Sequence, residues 1–149
     1  MKIIFLGTTG VHRALIAAHI YLNKLETNDF TFVEGFCDVM KDRSGFPIYI
    51  GDDENGNQVY TLGGGNDLPM VEKSISDLVS IFGFSSNELQ VKSVNGRGDL
   101  LISIVSKIPP ILVGSQINYL VSNFIIKQDF NQIFEDVEEF RTEFIENTF

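Results

Sequence analysis

The chain has no tryptophan, a single cysteine and four prolines in 149 residues. One thiol, Cys37, excludes an internal disulfide and points to a reducing compartment, so a cytoplasmic location is expected. Basic residues are also scarce. Eleven Lys and Arg stand against twenty Asp and Glu, a formal charge of −9. A chain with no basic patch has little to release counterions from a phosphate backbone, so nucleic acid is not an expected partner. Long apolar runs are missing too. The most apolar region, Leu100 to Ile126, is interrupted by Lys107, Pro109, Pro110, Gln116, Asn118 and Asn123, which argues against a membrane span. The apolar run at the N-terminus is too short for a signal peptide and leads directly into a helical pattern. Repeats, low-complexity tracts and linkers are absent, so residues 1–149 read as one domain.

What is present is an alternation of strand and helix signals. Ile3-Ile4-Phe5-Leu6 is an unbroken apolar run, as in a strand buried on both faces. Gly7-Thr8-Thr9-Gly10 makes a turn, and from Val11 the period becomes helical. Phe30 to Val33 reads as a second strand. Phe46–Ile50 and Gln58–Leu62 read as a hairpin around Asn55-Gly56. Gly63-Gly64-Gly65 is a flexible loop, either a simple turn or a lid over the first turn. Asp67 caps a helix running from Leu68 to Phe82, and Leu89 to Val94 reads as another strand. The remainder is helical: Leu100–Ile108 before the proline pair, Ile111–Ile126 with Ile117, Leu120, Val121 and Phe124 on one stripe expected to face the core, and an acidic helix over 127–149. The expected fold is therefore α/β and three-layer, with a mostly parallel sheet, an inserted β-hairpin and a helical C-terminal third.

Chemistry concentrates at the first strand, turn and helix. Backbone N–H groups at the start of a helix lack intrahelical partners and favour an anion. Arg13 adds a guanidinium suited to phosphate or carboxylate, and His12 a group that titrates near neutrality. Gly7 to Ala14 lines up with the phosphate-loop pattern only at Gly7. His12 stands for the second glycine, Arg13 for the lysine and Ala14 for the metal-binding hydroxyl, so this is a degenerate phosphate loop and no nucleotide triphosphatase is expected. Gly7, Gly10 and Ala14, with Glu34 after the second strand, fit a Rossmann-like dinucleotide turn only loosely. The ligand-binding candidates are Gly7, Thr8, Thr9, Gly10, His12 and Arg13. Arg97 joins them from a glycine-flanked loop at a strand end. The bland alternative is a tight turn with His12 and Arg13 solvated.

Other motifs carry less. Asp52 and Asp53 end a strand as magnesium ligands do, but Gly51 stands where an EF-hand loop begins with Asp. His12 and His19 are seven residues apart, about 10 Å along a helix and too far to share an ion. No metal or cofactor is expected. Cys37 lacks a nucleophile's flanking pattern and reads as a small buried residue. Arg97-Gly98-Asp99 is a chance tripeptide.

The acidic C-terminal helix carries Phe130, Ile133, Phe134, Val137, Phe140 and Phe144 on one stripe. This stripe is either core packing or a homodimer seam. The acidic residues opposite it form a solvated face or a dock for a basic partner.

The opening Met1-Lys2-Ile3-Ile4-Phe5, then Gly10, His12 and the helix ending Ala17-Ala18-His19-Ile20-Tyr21-Leu22, resemble a bacterial family termed domain of unknown function 3189. Gly51-Asp52, Gly56, Val59-Tyr60 and Leu62-Gly63 add to the likeness, which covers roughly residues 1 to 125. Family members tend to carry a Tyr-Gly-Gly-x-His-Ser-Ser turn. Here Thr8-Thr9-Gly10 replaces the first part, and Arg13 and Ala14 replace the serines, so any catalytic hydroxyl of that turn is lost. The resemblance implies that Gly10, His12 and the Asp52 loop form one unit, and it argues against a kinase or dehydrogenase.

Three functions follow. The first is binding of a small anionic, phosphate-bearing ligand at the Gly7–Arg13 turn. The second is a non-enzymatic interaction or regulatory role through the C-terminal helix. The third is hydrolysis or phosphotransfer with His12 as acid or base, which requires a second functional residue that the sequence does not place.

Overall fold

A computed structural model describes residues 1–85, 87–112 and 114–148. Val113 of the expected Ile111–Ile126 helix and Phe149 at the end of the acidic helix lie outside the described residues. The elements are β1 (Lys2–Gly7), α1 (Arg13–Tyr21), α2 (Val39–Asp42), β2 (Ile48–Asp52), β3 (Gln58–Gly63), α3 (Leu68–Ile81) and β4 (Leu89–Ser93). They are followed by α4 (Asp99–Val105), a 3-10 turn (Pro110–Leu112), α5 (Gly114–Gln128) and α6 (Phe130–Thr148).

The fold is mixed α/β, with one four-stranded sheet in the order β2-β3-β1-β4. β1 pairs parallel with both β3 and β4, and β2 pairs antiparallel with β3. β1 is central, which explains its unalternated apolar run: Ile3, Phe5 and Leu6 are fully buried. Gly7, Gly63 and Ser93 therefore share the carboxyl edge of the parallel strands. The β2–β3 loop, Asp53 to Asn57, falls at the opposite edge. The Asp52 loop and the His12 turn thus sit at opposite ends of the sheet, not in one local unit.

α1 is buried along nearly its whole length, from Arg13 to Tyr21. It packs on β1 and β3 and is covered by α6. The C-terminal stripe faces inward: Phe130, Ile133, Val137 and Phe140 are buried in the core, and Phe140 stacks edge-on against Phe5 at 5.9 Å. Arg141 on the same helix donates to the carbonyls of Ile20 and Tyr21 at 3.0 and 2.8 Å, satisfying the open end of α1.

Two sequence expectations give way. Phe30 to Val33 is a turn, not a strand. Asp29 accepts from Thr31 N and Thr31 Oγ1, and Val33 N bonds back to Phe30 O, so local bonds replace the ladder. Glu34 consequently follows no strand, and the dinucleotide pattern fails. The second concerns α5. Its buried residues are Gly114, Asn118, Ser122 and Ile126, whereas Ile117, Leu120 and Phe124 are exposed. The helix turns small and polar side chains inward and much of its apolar stripe outward. Among the described residues, no helix is long and apolar enough to cross a membrane.

Candidate functional site: the carboxyl edge of the sheet

The chain leaves β1 toward β3 on one side, and reaches β4 on the other. In open α/β sheets the crevice at such a reversal is where ligands bind. A cleft of about 320 Å³ opens there, lined by Thr8, Asn66, Pro69, Asn95, Gly96 and Asp99 among others. The β3–α3 loop is tied to its floor, since Gly64 N donates to Gly7 O at 2.8 Å and Gly65 N to Thr8 O at 3.1 Å. Those bonds continue the sheet ladder beyond its strands, so the glycine run is anchored on the first turn. Larger clefts lie elsewhere. One of about 760 Å³ sits at the amino edge beside Met1 and Phe82, and one of about 370 Å³ beside His19, Lys24 and Lys41. In the latter, Lys24 donates to Ile50 O and Lys41 pairs with Glu34, so neither lysine faces the cleft unengaged.

The first turn is already occupied by an internal anion. Gly10 N donates to Asp42 Oδ1 at 2.9 Å. A Cβ on either Gly10 or Gly63 would lie 2.8 Å from that oxygen, so both positions require glycine for α2 to dock. Burial raises the Asp42 carboxyl above its usual range, and the Gly10 hydrogen bond opposes that rise.

His12 is fully buried, with both ring nitrogens engaged. Thr9 Oγ1 lies 2.5 Å from Nδ1, and Asn118 Oδ1 lies 3.0 Å from Nε2. Because an amide oxygen only accepts, Nε2 carries the proton, and the Thr9 hydroxyl donates to Nδ1. The network extends through Asn118, which donates to Cys37 O at 3.3 Å and accepts from Ser122 Oγ at 3.0 Å. Desolvation lowers the His12 pKa to about 4, so the imidazole is neutral at physiological pH. These contacts make His12 a strut that joins the turn to α5. Cys37, whose N–H donates to Val11 O at 2.9 Å, is pushed up to about 12 by burial and carries no thiolate near neutrality.

Arg13 is not presented to a ligand as the sequence suggests. Its Nε donates to Asp99 Oδ1 and one Nη to Asp129 Oδ2, both at 3.0 Å, with Arg97 O accepting at 3.1 Å. The side chain is 4% exposed. It clamps the β4–α4 loop and the α5–α6 junction onto the start of α1. Gly96 lies flush against it, where a Cβ would come within 2.4 Å of the guanidinium carbon. Arg97 by contrast is exposed at the same strand end, next to the cleft.

The Asp52-Asp53 pair is engaged at the other edge. Asp53 accepts from Tyr21 Oη, Asn55 N, Asn57 N and Asn57 Nδ2, and Asp52 accepts from Tyr49 Oη. No cluster of three or more His, Cys, Asp or Glu suited to a metal occurs among the described residues.

A family model described as protein of unknown function (DUF3189) matches residues 2–142. The chain belongs to this family. No curated protein and no solved structure matches it. The DUF3189 match runs past residue 125 into α6, and so takes in Asn118 and Asp129 as well as the first turn. Asp42, Asp99, Asn118, Ser122 and Asp129 are the site residues that sequence reasoning missed. In this DUF3189 chain the available signal was Asn118 and Ser122, four apart and polar within an apolar helix.

Proposed function

We propose that this chain binds a small anionic, phosphate-bearing ligand in the crevice at the carboxyl ends of β1 and β4. The crevice itself carries the reading: it lies at the reversal of strand order and presents the neutral hydrogen-bonding side chains of Thr8, Asn66 and Asn95. Asp99 on its wall would repel an anion, and Arg13, shared between Asp99 and Asp129, offsets part of that charge. Arg97 is then the exposed countercharge, and the Gly7-Thr8-Thr9-Gly10 turn forms the floor. Arg13 and His12 act as positioning residues, one setting the wall and the other the turn. In this reading the sheet is the middle of three layers in a Rossmann-like arrangement, within a cytoplasmic bacterial protein.

Isothermal calorimetry with inorganic phosphate and with a nucleoside monophosphate tests the assignment. Arg97→Ala and Asn95→Ala should each weaken binding about tenfold, in line with the loss of one charge-assisted contact. Unchanged affinity in both variants would remove the crevice from consideration.

The interaction reading rests on a different element from the one the sequence indicates. α6 buries its aromatic stripe in the core, while α4 and α5 leave large apolar side chains open.

A further inference from the structure

We propose that the α4–α5 face joins two copies of this chain. Leu100, Leu101 and Ile104 on α4 are exposed, as are Ile117, Leu120 and Phe124 on α5, and the two helices pack on each other. Leu100 is 68%, Leu120 65% and Phe124 64% exposed, values foreign to an apolar stripe on a finished surface. The inversion of α5 sharpens the point. That helix turns Asn118 and Ser122 inward to the His12 network, with Gly114 buried against Ile108 and Pro109 on the same side, and so cannot turn its apolar stripe to the core.

Six side chains of this size present on the order of 700 Å² of apolar surface, close to the roughly 800 Å² that one partner contributes to a standard interface. Charge selects the occupant. The chain carries −9, yet from Leu100 through Ile126 the only charged residue is Lys107. Two copies approaching by most other faces bring acidic surfaces together; by this face they do not. An uncharged patch suits the self-complementary contact of a two-fold dimer, with charge depleted from its centre. A membrane is a poorer match, because an interfacial helix needs a basic rim and this face offers a single lysine.

Leu100 also lines the carboxyl-edge crevice. A partner seated on α4 therefore stands at the crevice mouth and adds a wall to it. This last consequence rests on the ligand reading; the dimer does not.

Sedimentation velocity on the full chain tests the proposal. The wild type should sediment as a dimer. The double variant Ile104→Glu/Leu120→Glu should sediment as a monomer with an unchanged far-ultraviolet circular dichroism spectrum. Ile81→Glu on α3, also at an exposed apolar position, should remain dimeric. Should the double variant lose its helical signal, Leu120→Ser gives the same readout from a smaller perturbation. A wild type that is monomeric across the concentration range overturns the proposal, and so does a dimer that survives these substitutions on α4 and α5. Dissociation by Ile81→Glu would move the interface to α3 and overturn it equally. Cosedimentation of a monomeric wild type with phosphatidylcholine–phosphatidylglycerol vesicles would make the face a membrane contact instead.

Discussion

Asn118 Oδ1 lies 3.0 Å from Nε2 of His12, across 106 positions of sequence. That one contact orders the turn after β1 and the inward face of α5 together. It fixes the tautomer of His12 and thereby the direction of the Thr9 hydroxyl. Asn118 is 2% exposed, so water cannot readily take its partner's place. Asn118→Leu fits an apolar helix pattern but leaves His12 Nε2–H, Ser122 Oγ and Cys37 O without their partner. Loss of about 2–4 kcal/mol is expected from a buried network broken in this way, read as the free energy of urea unfolding.

His12 makes stability depend on pH in a stated direction. Its pKa falls from 6.5 in the unfolded chain to about 4 in the fold. Between those values the unfolded chain binds the proton and the folded chain does not, so stability drops as pH falls from 6.5 toward 4. The loss from this group is on the order of 3 kcal/mol. Urea midpoints measured across that range should decline, and His12→Gln should flatten the decline. A wild-type profile no steeper than that of the variant would contradict the assignment.

Arg13 is predicted to matter for stability, not for ligand charge. Arg13→Met keeps the length of the side chain and leaves Asp99 and Asp129 facing each other without a cation. The cost should be about 3–5 kcal/mol, the range for breaking one side of a buried ion pair. In the triple variant Arg13→Met/Asp99→Asn/Asp129→Asn much of that cost should be recovered, because the stranded carboxylates are gone. Equal destabilisation in both would mean that packing, not charge, holds this junction.

The alternating part of the fold was legible because its elements carry their own periods. β1, α1, α3 and β4 lie within a few residues of where the apolar pattern puts them. What the pattern could not show is orientation. Ile117, Leu120 and Phe124 form a stripe in the sequence, but a stripe does not say whether it meets the core or the outside, and the choice was made by Asn118 and Ser122. The same holds for the site. Arg13 reads as a free cation in a helix's first turn, and its partners Asp99 and Asp129 lie 86 and 116 positions away. Phe30 to Val33 has strand composition, yet the Asp29 side chain captures the backbone first.

Cys37 sits at φ +64°, in the left-handed region, with its thiol raised to about 12. The thiol should therefore resist iodoacetamide at pH 8 in the folded chain and react at an ordinary thiol rate in urea. The raised value also sets an alkaline limit. Above 9.0 the unfolded chain loses this proton while the fold retains it, so stability declines as pH rises toward 12. Tyr21 acts in the same direction, its phenol raised by burial and by the neighbouring Asp53. Rapid alkylation of the native chain at pH 8 would mean that the 30–45 segment opens readily.

Thr61 gives the opposite kind of test, a substitution that should do no harm. It lies in β3 between β1 and β2, fully buried, and its Oγ1 has no hydrogen-bond partner among the described residues. A buried hydroxyl without a partner costs free energy that a methyl of the same shape does not. Thr61→Val keeps the β-branched form that suits a strand and removes only the stranded polar atom. Stability should rise by about 1 kcal/mol, or at least hold, on thermal or urea unfolding. A clear loss would show instead that the hydroxyl is used, and its place in β3 two residues before Gly63 would make the carboxyl edge of the sheet the first place to look.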